Sequence, residues 1–546
     1  MDALMVRARS AESMVASRSS LQAEQLALRA LAYLLAAVCG GALACAFAPW
    51  SVRWAGVGGM VGLGLLFSAA VSPRQAGRIL FAAGIGLLVV GTTWVIRAIE
   101  GGAASAPWMV PVIFAAFVII GALPYAVMGW VGARLVPLHG GELRPRVLRA
   151  ALILPAAWTL GEGLRSSGPL AVPWMLTAVA QVPDGLVAGW LPVLGVYGTG
   201  WLVWTMAGGC TCAWILVRRG RMRSAVLAAV LPLAMLGASV PMARIGWTRP
   251  EPFPLSVRLW QTNHPQGEKW SRDVADATAE ALLDRVRRMP ANGILVTPEL
   301  LMIDPWQMLP ATWTESLQAR LAERDGTLLL GIPAADTATR RLFNTITVVG
   351  PHVRESAGPQ MYAKGRLALF GERLPAKALL GSLYTRAFHW PLQDLSVPEP
   401  SENTALLYAA GHVLAAAICF ETGFTRDGAQ RDPRAAFIVN PSNDAWFESP
   451  RYNAHALQVS QAAAMETGKP VLRANNVGYT AIIRPSGSLQ ALLPSGVDGE
   501  LTADVVGHTG ATPFARIGEP LIIGICCGGF FLAWHLRRRR MDPLST

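Results

Sequence analysis

Between Arg249 and Gly518 the chain contains one cysteine, Cys419. That scarcity excludes a disulfide framework within this polar stretch and removes any internal partner for Cys419. Charge is scarce as well: 15% of the 546 residues are Asp, Glu, Lys or Arg, against 52% hydrophobic. One large soluble core does not have this composition, whereas a set of membrane spans does. The seven cysteines lack metal-ligand spacing, and Cys210/Cys212 and Cys526/Cys527 lie inside apolar runs. No metal and no cofactor is therefore expected. The polar, Arg-bearing N-terminus lacks a separate short apolar core with a small-residue cleavage site, which excludes a removed signal peptide and leaves residues 1–29 as a cytoplasmic tail. Internal repeats and long low-complexity segments are missing too.

What is present begins with long apolar runs. Eight candidate spans cover about 30–48, 54–71, 79–96, 107–133, 147–164, 193–217, 224–241 and 519–536, each near the length that crosses a bilayer core. The net charge of +12 suggests nucleic acid until its placement is considered. Arg7, Arg9, Arg18 and Arg29 precede the first span, Arg74 and Arg78 follow the second, and Arg134, Arg144, Arg146 and Arg149 follow the fourth. Arg218, Arg219, Arg221 and Arg223 lie between the sixth and seventh, and Arg537 to Arg540 follow the eighth, while the alternate loops carry Arg53, Arg97 and Arg165. This alternation sets membrane orientation. It places both termini in the cytoplasm, a seven-span region (30–248) before the polar stretch, one span (519–536) after it, and a basic tail (537–546) last. The polar domain, 249–518, then faces the opposite side. No nucleic-acid partner is expected; the lipid bilayer is.

The polar domain alternates strand-like and helix-like pieces. Strands are expected at Leu255–Gln261, Gly293–Val296, Thr327–Leu330, Thr345–Val349, Ala405–Tyr408, Val413–Cys419, Phe437–Asn440, 471–474, 479–484 and 488–493, and helices at Ala275–Met289, Thr314–Arg324 and 453–467. Strands that end at polar residues and are separated by helices indicate a layered α/β domain with its site at the strand ends. The Pro-, Gly- and Trp-rich loop from Ser166 to Met175 stands apart, read either as an interfacial segment carrying Trp174 or as a plain connection.

Three polar groups leave comparable strand ends. Glu299 closes Gly293-Ile-Leu-Val-Thr-Pro-Glu299, Lys364 lies in the run Met361 to Glu372, and Cys419 closes an apolar run from Val413. Taken singly each has a bland reading: a helix-start carboxylate, a solvated loop lysine, a small core thiol. Together they form a nucleophilic set in which the carboxylate takes the thiol proton, the thiolate attacks a carbonyl, and the ammonium stabilises the oxyanion.

Glu299, Lys364 and Cys419, in that order, resemble the Glu-Lys-Cys triad of the nitrilase superfamily. Flanking spans make the chain similar to the apolipoprotein N-acyltransferase family. Further matching segments are Gly91-Thr-Thr-Trp-Val95, Val172-Pro-Trp-Met175, Lys269-Trp270, Phe370-Gly-Glu-Arg-Leu-Pro375, Cys419-Phe-Glu421, Ser442-Asn-Asp-Ala-Trp-Phe447, Glu466-Thr-Gly-Lys-Pro470 and Thr512-Pro-Phe-Ala-Arg516. The resemblance implies a helical membrane bundle joined to an α-β-β-α sandwich. It implies Glu299 as general base, Lys364 as oxyanion stabiliser and Cys419 as acyl-carrying nucleophile. Glu372, Glu421 and Phe420 are its supporting residues, and Trp270, Asn443 and Trp446 its substrate-binding candidates. The implied reaction takes an acyl group from a membrane phospholipid onto Cys419 and passes it to the amine of a diacylglyceryl-cysteine at a lipoprotein N-terminus, in a bacterial inner membrane.

Some positions depart from the family pattern. Thr297-Pro-Glu299 replaces Trp-Pro-Glu, Leu367-Ala-Leu369 replaces Leu-Val-Pro, Phe420 stands where Tyr is usual, and Ala463 replaces an Arg. No triad member is lost. The departures leave open a divergent membrane nitrilase-like protein of conjugal transfer, and a membrane-tethered amidase or hydrolase in which water completes the turnover.

Overall fold

The computed structural model describes residues 2–100, 107–138, 141–168, 170–336, 338–351, 360–368, 372–373, 395–397, 405–425 and 428–538, with side chains from residue 22 onward. Phe370-Gly371 and Leu374-Pro375 of the expected motif, the Leu369 departure and the end of the basic tail lie outside these residues.

Apolar sequence builds a helical bundle first. Its helices are α1 (Asp2–Ala44), α2 (Arg53–Ala69), α3 (Pro73–Gly91), α4 (Met109–Leu135), α5 (Leu143–Arg165), α6 (Leu191–Val217), α7 (Met222–Ala243) and, after the polar domain, α11 (Pro520–Arg538). Among the described residues seven helices are long and apolar enough to cross a membrane, α1 from Gln22 and α6 as Ala188–Val217. The eighth, α2, has 17 residues, roughly 25 Å at 1.5 Å per residue and slightly short of a bilayer core. The chain is thus a multi-pass membrane protein. The first span ends at Ala44, earlier than expected, because a turn tied by Val52 N–H donating to Cys45 O at 2.9 Å reverses the chain. Helices α1 and α3 cross closely: a Cβ on Gly40 would lie 1.9 Å from Ala83 O, and one on Gly86 1.9 Å from Ala37 O. Only glycine permits that approach, which gives dispersion contact where lipid offers no hydrophobic drive. Buried Arg149 donates to Val136 O at 2.7 Å and to Ala70 O, so its charge sits on carbonyls that two helix ends leave open.

The polar domain has two six-stranded sheets. One runs β12-β1-β2-β3-β4-β5 and the other β11-β10-β9-β8-β7-β6. The first contains β1 (Arg249–Gln261), β2 (Ile294–Val296), β3 (Thr327–Asp336), β4 (Arg341–Val349), β5 (Gln360–Ala363) and β12 (Gly499–Thr509). The second contains β6 (Leu406–Ala409), β7 (His412–Ala416), β8 (Phe437–Ser442), β9 (Val471–Asn475), β10 (Thr480–Ile483) and β11 (Leu489–Leu493). Each has a parallel trio, β1-β2-β3 and β7-β8-β9, flanked by antiparallel neighbours.

Side-chain alternation decides the layers. On β3, Leu329 faces the inter-sheet core with Val257, Val439 and Leu472, while Leu328, Leu330 and Ile332 face α8 (Arg272–Arg287) and α9 (Ala311–Arg324) through Leu282, Val286, Leu317 and Leu321. The second sheet turns Ala415, Ile438 and Val471 toward Leu457 and Ala464 of α10 (Pro450–Thr467). The other face of α10 carries Tyr452, Ala456, Val459, Ala462 and Met465 into the core of the membrane bundle. The layers are therefore α-β-β-α, with the last one shared. Strands β5 and β12 were not expected, and the strand expected to end at Cys419 ends at Ala416.

Candidate active site

Two of the candidate groups, Glu299 and Cys419, sit where parallel strands release the chain, the usual place for a site in such sheets, and Lys364 joins them from the end of antiparallel β5. Glu299 follows β2. Its loop is held by Thr297, whose Oγ1 accepts from Gly331 N–H at 2.9 Å, and by Leu301 N–H donating to Gly331 O at 2.7 Å. Lys364 follows β5, with its backbone N–H on Asn344 O at 2.8 Å. Its Nζ donates to Glu299 Oε1 at 2.7 Å and to Glu372 Oε1 at 2.9 Å. Asn344 on β4 donates from Nδ2 to the same two carboxylates, at 2.7 and 2.9 Å. One ammonium and one amide thus bind two carboxylates, all four side chains buried.

Cys419 lies beyond β7 at a sharp corner. Its φ is +55°, the left-handed region that costs a residue with a side chain about 1–2 kcal/mol. It opens a single 3₁₀ turn, Cys419–Gly423. Such a conformation persists only when its surroundings over-determine it, and here they do. Asn440 Nδ2 donates to Ala417 O at 2.6 Å and Cys419 O at 2.9 Å. Glu421 supplies the rest: Oε1 accepts from Gly365 N–H and Arg366 N–H, both at 2.9 Å, Oε2 accepts from Ile418 N–H at 2.8 Å, and Tyr362 Oη donates to both oxygens at 3.0–3.1 Å. This carboxylate ties the lysine loop to the cysteine corner.

Electrostatics set the resting protons. Burial alone would raise the Glu299 carboxyl, but the Lys364 charge, with hydrogen bonds from Lys364 and Asn344, outweighs it and holds the group below the usual carboxylate range. Burial opposes the Lys364 charge, yet Glu299 and Glu372 hold this ammonium well above the usual lysine range. Burial pushes the Cys419 thiol up, Glu299 adds to that, and Lys364 acts the other way. The set rests as thiol, carboxylate and ammonium, with the carboxylate able to take a proton.

A cavity of about 300 Å³ opens over Cys419, Glu299, Lys364 and Glu372. Its apolar lining comes from both parts of the chain, with Trp94 and Phe117 from the membrane bundle and Phe420 and Phe447 from the domain. The Lys364 ammonium lies 5.4 Å from the Phe420 ring centre. Trp446 and Asn443 line the cavity too, but the Asn443 amide is engaged: Nδ2 donates to Gln266 Oε1 and Oδ1 accepts from Asn476, both at 2.9 Å.

Trp270 is placed differently, 47% exposed and outside the cavity lining. Its neighbour Lys269 is buried instead, donating from Nζ to Glu299 O at 2.9 Å, and burial pulls its ammonium down to about 8. Lys269, Asn344 and Tyr362 were missed from the sequence. The Lys269-Trp270 pair was visible as a motif, and a polar Asn344 amid the apolar β4 was the other available signal. Thr297 now has a structural account in its bond to Gly331, whereas nothing in the structure explains Ala463, a buried residue of α10.

Comparison with known proteins finds similarity in two parts of the chain. The family model "Apolipoprotein N-acyltransferase N-terminal domain" matches residues 39–209, and "Carbon-nitrogen hydrolase" matches 257–514. An apolipoprotein N-acyltransferase of Methylococcus capsulatus is 32% identical over 93% of this chain and 97% of its own. One from Ralstonia nicotianae is 32% identical over 93% of both chains, and one from Nitrosomonas europaea 30% identical over 89% of this chain and 93% of its own. With similarity running through the bundle and the nitrilase-like domain alike, the chain belongs to the apolipoprotein N-acyltransferase family.

Proposed function

We propose that this enzyme moves an acyl group from a membrane phospholipid to the N-terminal amine of a diacylglyceryl-cysteine lipoprotein, through a thioester on Cys419. The observation that carries the reading is the Glu299–Lys364–Glu372 cluster beside Cys419, in one cavity walled by membrane helices. The Cys419 thiol gives its proton to the Glu299 carboxylate as sulfur attacks the ester carbonyl. Lys364 stabilises the oxyanion. Collapse breaks the C–O bond, Glu299 returns the proton to the departing alkoxide, and a lysophospholipid leaves. The acceptor amine then attacks the thioester, loses a proton to Glu299 and forms the amide, and Glu299 reprotonates the thiol. Glu372 and Asn344 keep Lys364 and Glu299 in register throughout, Glu421 and Phe420 shape the corner, and Trp446 and Asn443 are substrate contacts of the cavity. Both substrates are lipid-anchored, so apolar walls guide acyl chains to sulfur while excluding the water that would hydrolyse the thioester.

Arginine-rich alternate loops support a bacterial inner-membrane topology with both termini cytoplasmic and residues 249–518 on the periplasmic face, seven spans before and one after. The test uses the full chain with a phospholipid labelled in its acyl chain. Hydroxylamine-labile label is expected on the wild type and none on Cys419→Ala, with amide product once a diacylglyceryl peptide is added. An unlabelled wild type overturns the reading, and free fatty acid without amide assigns the turnover to water instead.

A further inference from the structure

Two ionisable side chains lie buried at the end of span α5, away from the reacting atoms. Glu162 is 0% exposed and Arg165 5%. They stand three residues apart on one helix, and both reach into the same loop. Arg165 donates from Nη1 to Val172 O at 2.9 Å, while its Nε donates to Tyr125 Oη at 3.2 Å. Glu162 Oε1 accepts from Thr177 N–H at 2.9 Å, Thr177 Oγ1 at 2.6 Å and Trp158 Nε1 at 3.0 Å. Trp204 Nε1 donates to Thr177 Oγ1 at 3.0 Å. The pair therefore grips residues 172 and 177, the two ends of the loop, with Trp174, Met175 and Leu176 buried between them.

Pro173, Trp174 and Met175 meet the catalytic domain. Pro173 presses on the nucleophile's own turn, where a Cβ on Gly423 would meet Pro173 Cγ at 3.2 Å. Trp174 stands edge-on to Trp94 and Tyr452, with centroids 5.4 and 5.3 Å away. Met175 holds φ at +57° and donates its N–H to His455 Nε2 at 3.3 Å. Val172, Pro173 and Trp174 form one wall of the cavity over Cys419. Buried charge inside a bundle is costly, and its retention calls for a purpose.

We propose that Glu162 and Arg165 are positioning residues, holding both ends of the 172–177 loop so that Pro173 and Trp174 close the acyl cavity against the Cys419 turn. The role rests on the reading of Cys419 as the acyl-carrying nucleophile. It acts on donor binding and water exclusion, since neither residue touches the triad. The structure also says what Glu162 must supply. All three bonds go to Oε1, and among the described residues Oε2 has no hydrogen-bond partner, so an acceptor at Oε1 suffices and glutamine should substitute.

The test measures full-length Glu162→Leu, Glu162→Gln and Arg165→Met in detergent micelles with phosphatidylglycerol. One readout is the KM and kcat for Cys419 acylation; the other is the rate of Cys419 alkylation by iodoacetamide. Loss of the acceptor in Glu162→Leu should raise KM about tenfold, the scale of a buried charge-assisted hydrogen bond, with little change in kcat and faster alkylation as the wall opens. Arg165→Met should behave alike, and Glu162→Gln should stay near the wild type. An unchanged KM and alkylation rate in both Glu162→Leu and Arg165→Met overturns the proposal, as does a Glu162→Gln variant as impaired as Glu162→Leu. If Glu162→Leu does not fold, Thr177→Val removes the Oγ1 bonds to Glu162 and Trp204 while keeping the Thr177 N–H bond to Glu162, and should shift the same readouts in the same direction; unmoved readouts there overturn the proposal. Should the wild type never carry an acyl group, the nucleophile reading fails, while alkylation still reports whether the wall has moved.

Discussion

Replacing Glu421 by glutamine tests whether the cysteine corner and the lysine loop work as one unit. Glu421 accepts three backbone N–H groups and a phenol, with no donor role to fill. A glutamine oxygen can keep Gly365 and Arg366, but its Nε2 must then face Ile418 N–H, donor against donor. An orphaned buried N–H costs about 1–3 kcal/mol, which corresponds to roughly 5- to 150-fold in rate if it falls on the acylation transition state. Burial pushes the Glu421 carboxyl up to about 7, and its working form is the ionised one, present above that pH. As pH falls through about 7, a proton on one oxygen displaces a donor just as the amide does. Wild-type Cys419 acylation should therefore lose rate below about pH 7, and Glu421→Gln should be slow and lack that limb. Glu299 cannot supply the limb, being held below the usual carboxylate range. The assay is single-turnover labelling of Cys419 across pH 5.5–9 (about the span over which a group near 7 titrates), with thermal unfolding as the check on integrity. A folded Glu421→Gln that labels within about twofold of wild type and keeps the acid limb would refute the argument.

Two further substitutions probe the other supports. A Cβ on Gly331 would lie 2.0 Å from Pro298 O and 3.0 Å from Leu300 N, so Gly331→Ala must displace the backbone that carries Glu299; labelling of Cys419 should fall about 100-fold with the protein still folded. Asn344→Leu removes the amide that bridges Glu299 and Glu372 and should slow acylation by roughly 10- to 100-fold with the KM for phospholipid unchanged, measured with the same label.

The sequence was most legible where one physical signal dominated. Apolar runs such as Ile294-Leu-Val296 and Thr327-Leu-Leu-Leu330 are buried on both faces, so they read as parallel-sheet strands from composition alone. Span positions were close because length and hydropathy decide them, and the first span shifted because a turn, not hydropathy, ends α1. Strand β12 was missed although its alternation is regular: Leu501, Ala503 and Val505 turn toward the inter-sheet core while Thr502 and Asp504 face outward along an edge beside β1. The corner at Cys419 was misjudged because a left-handed residue is set by tertiary hydrogen bonds: Asn440 donates to it from a distant strand, and the nearby Glu421 is itself held by Gly365, Arg366 and Tyr362, all distant in sequence. Lys269 and Asn344 stood out in the sequence, but their roles were illegible for a similar reason. Their role depends on which buried carboxylates they meet, and spacing does not report that.

Helix α10 has a consequence of its own. Because one face closes the second sheet and the other is part of the bundle core, there is no seam along which catalytic domain and membrane anchor part. Cutting the chain at 249 and 518 would strip Tyr452, Ala456, Val459, Ala462 and Met465 bare, on the very helix that supports the strands behind Cys419. The enzyme is in this sense not a soluble hydrolase on a leash. Its lipid-facing part is a wall of its own catalytic domain, and changes in helix packing within the bilayer reach the Cys419 sulfur through one shared helix.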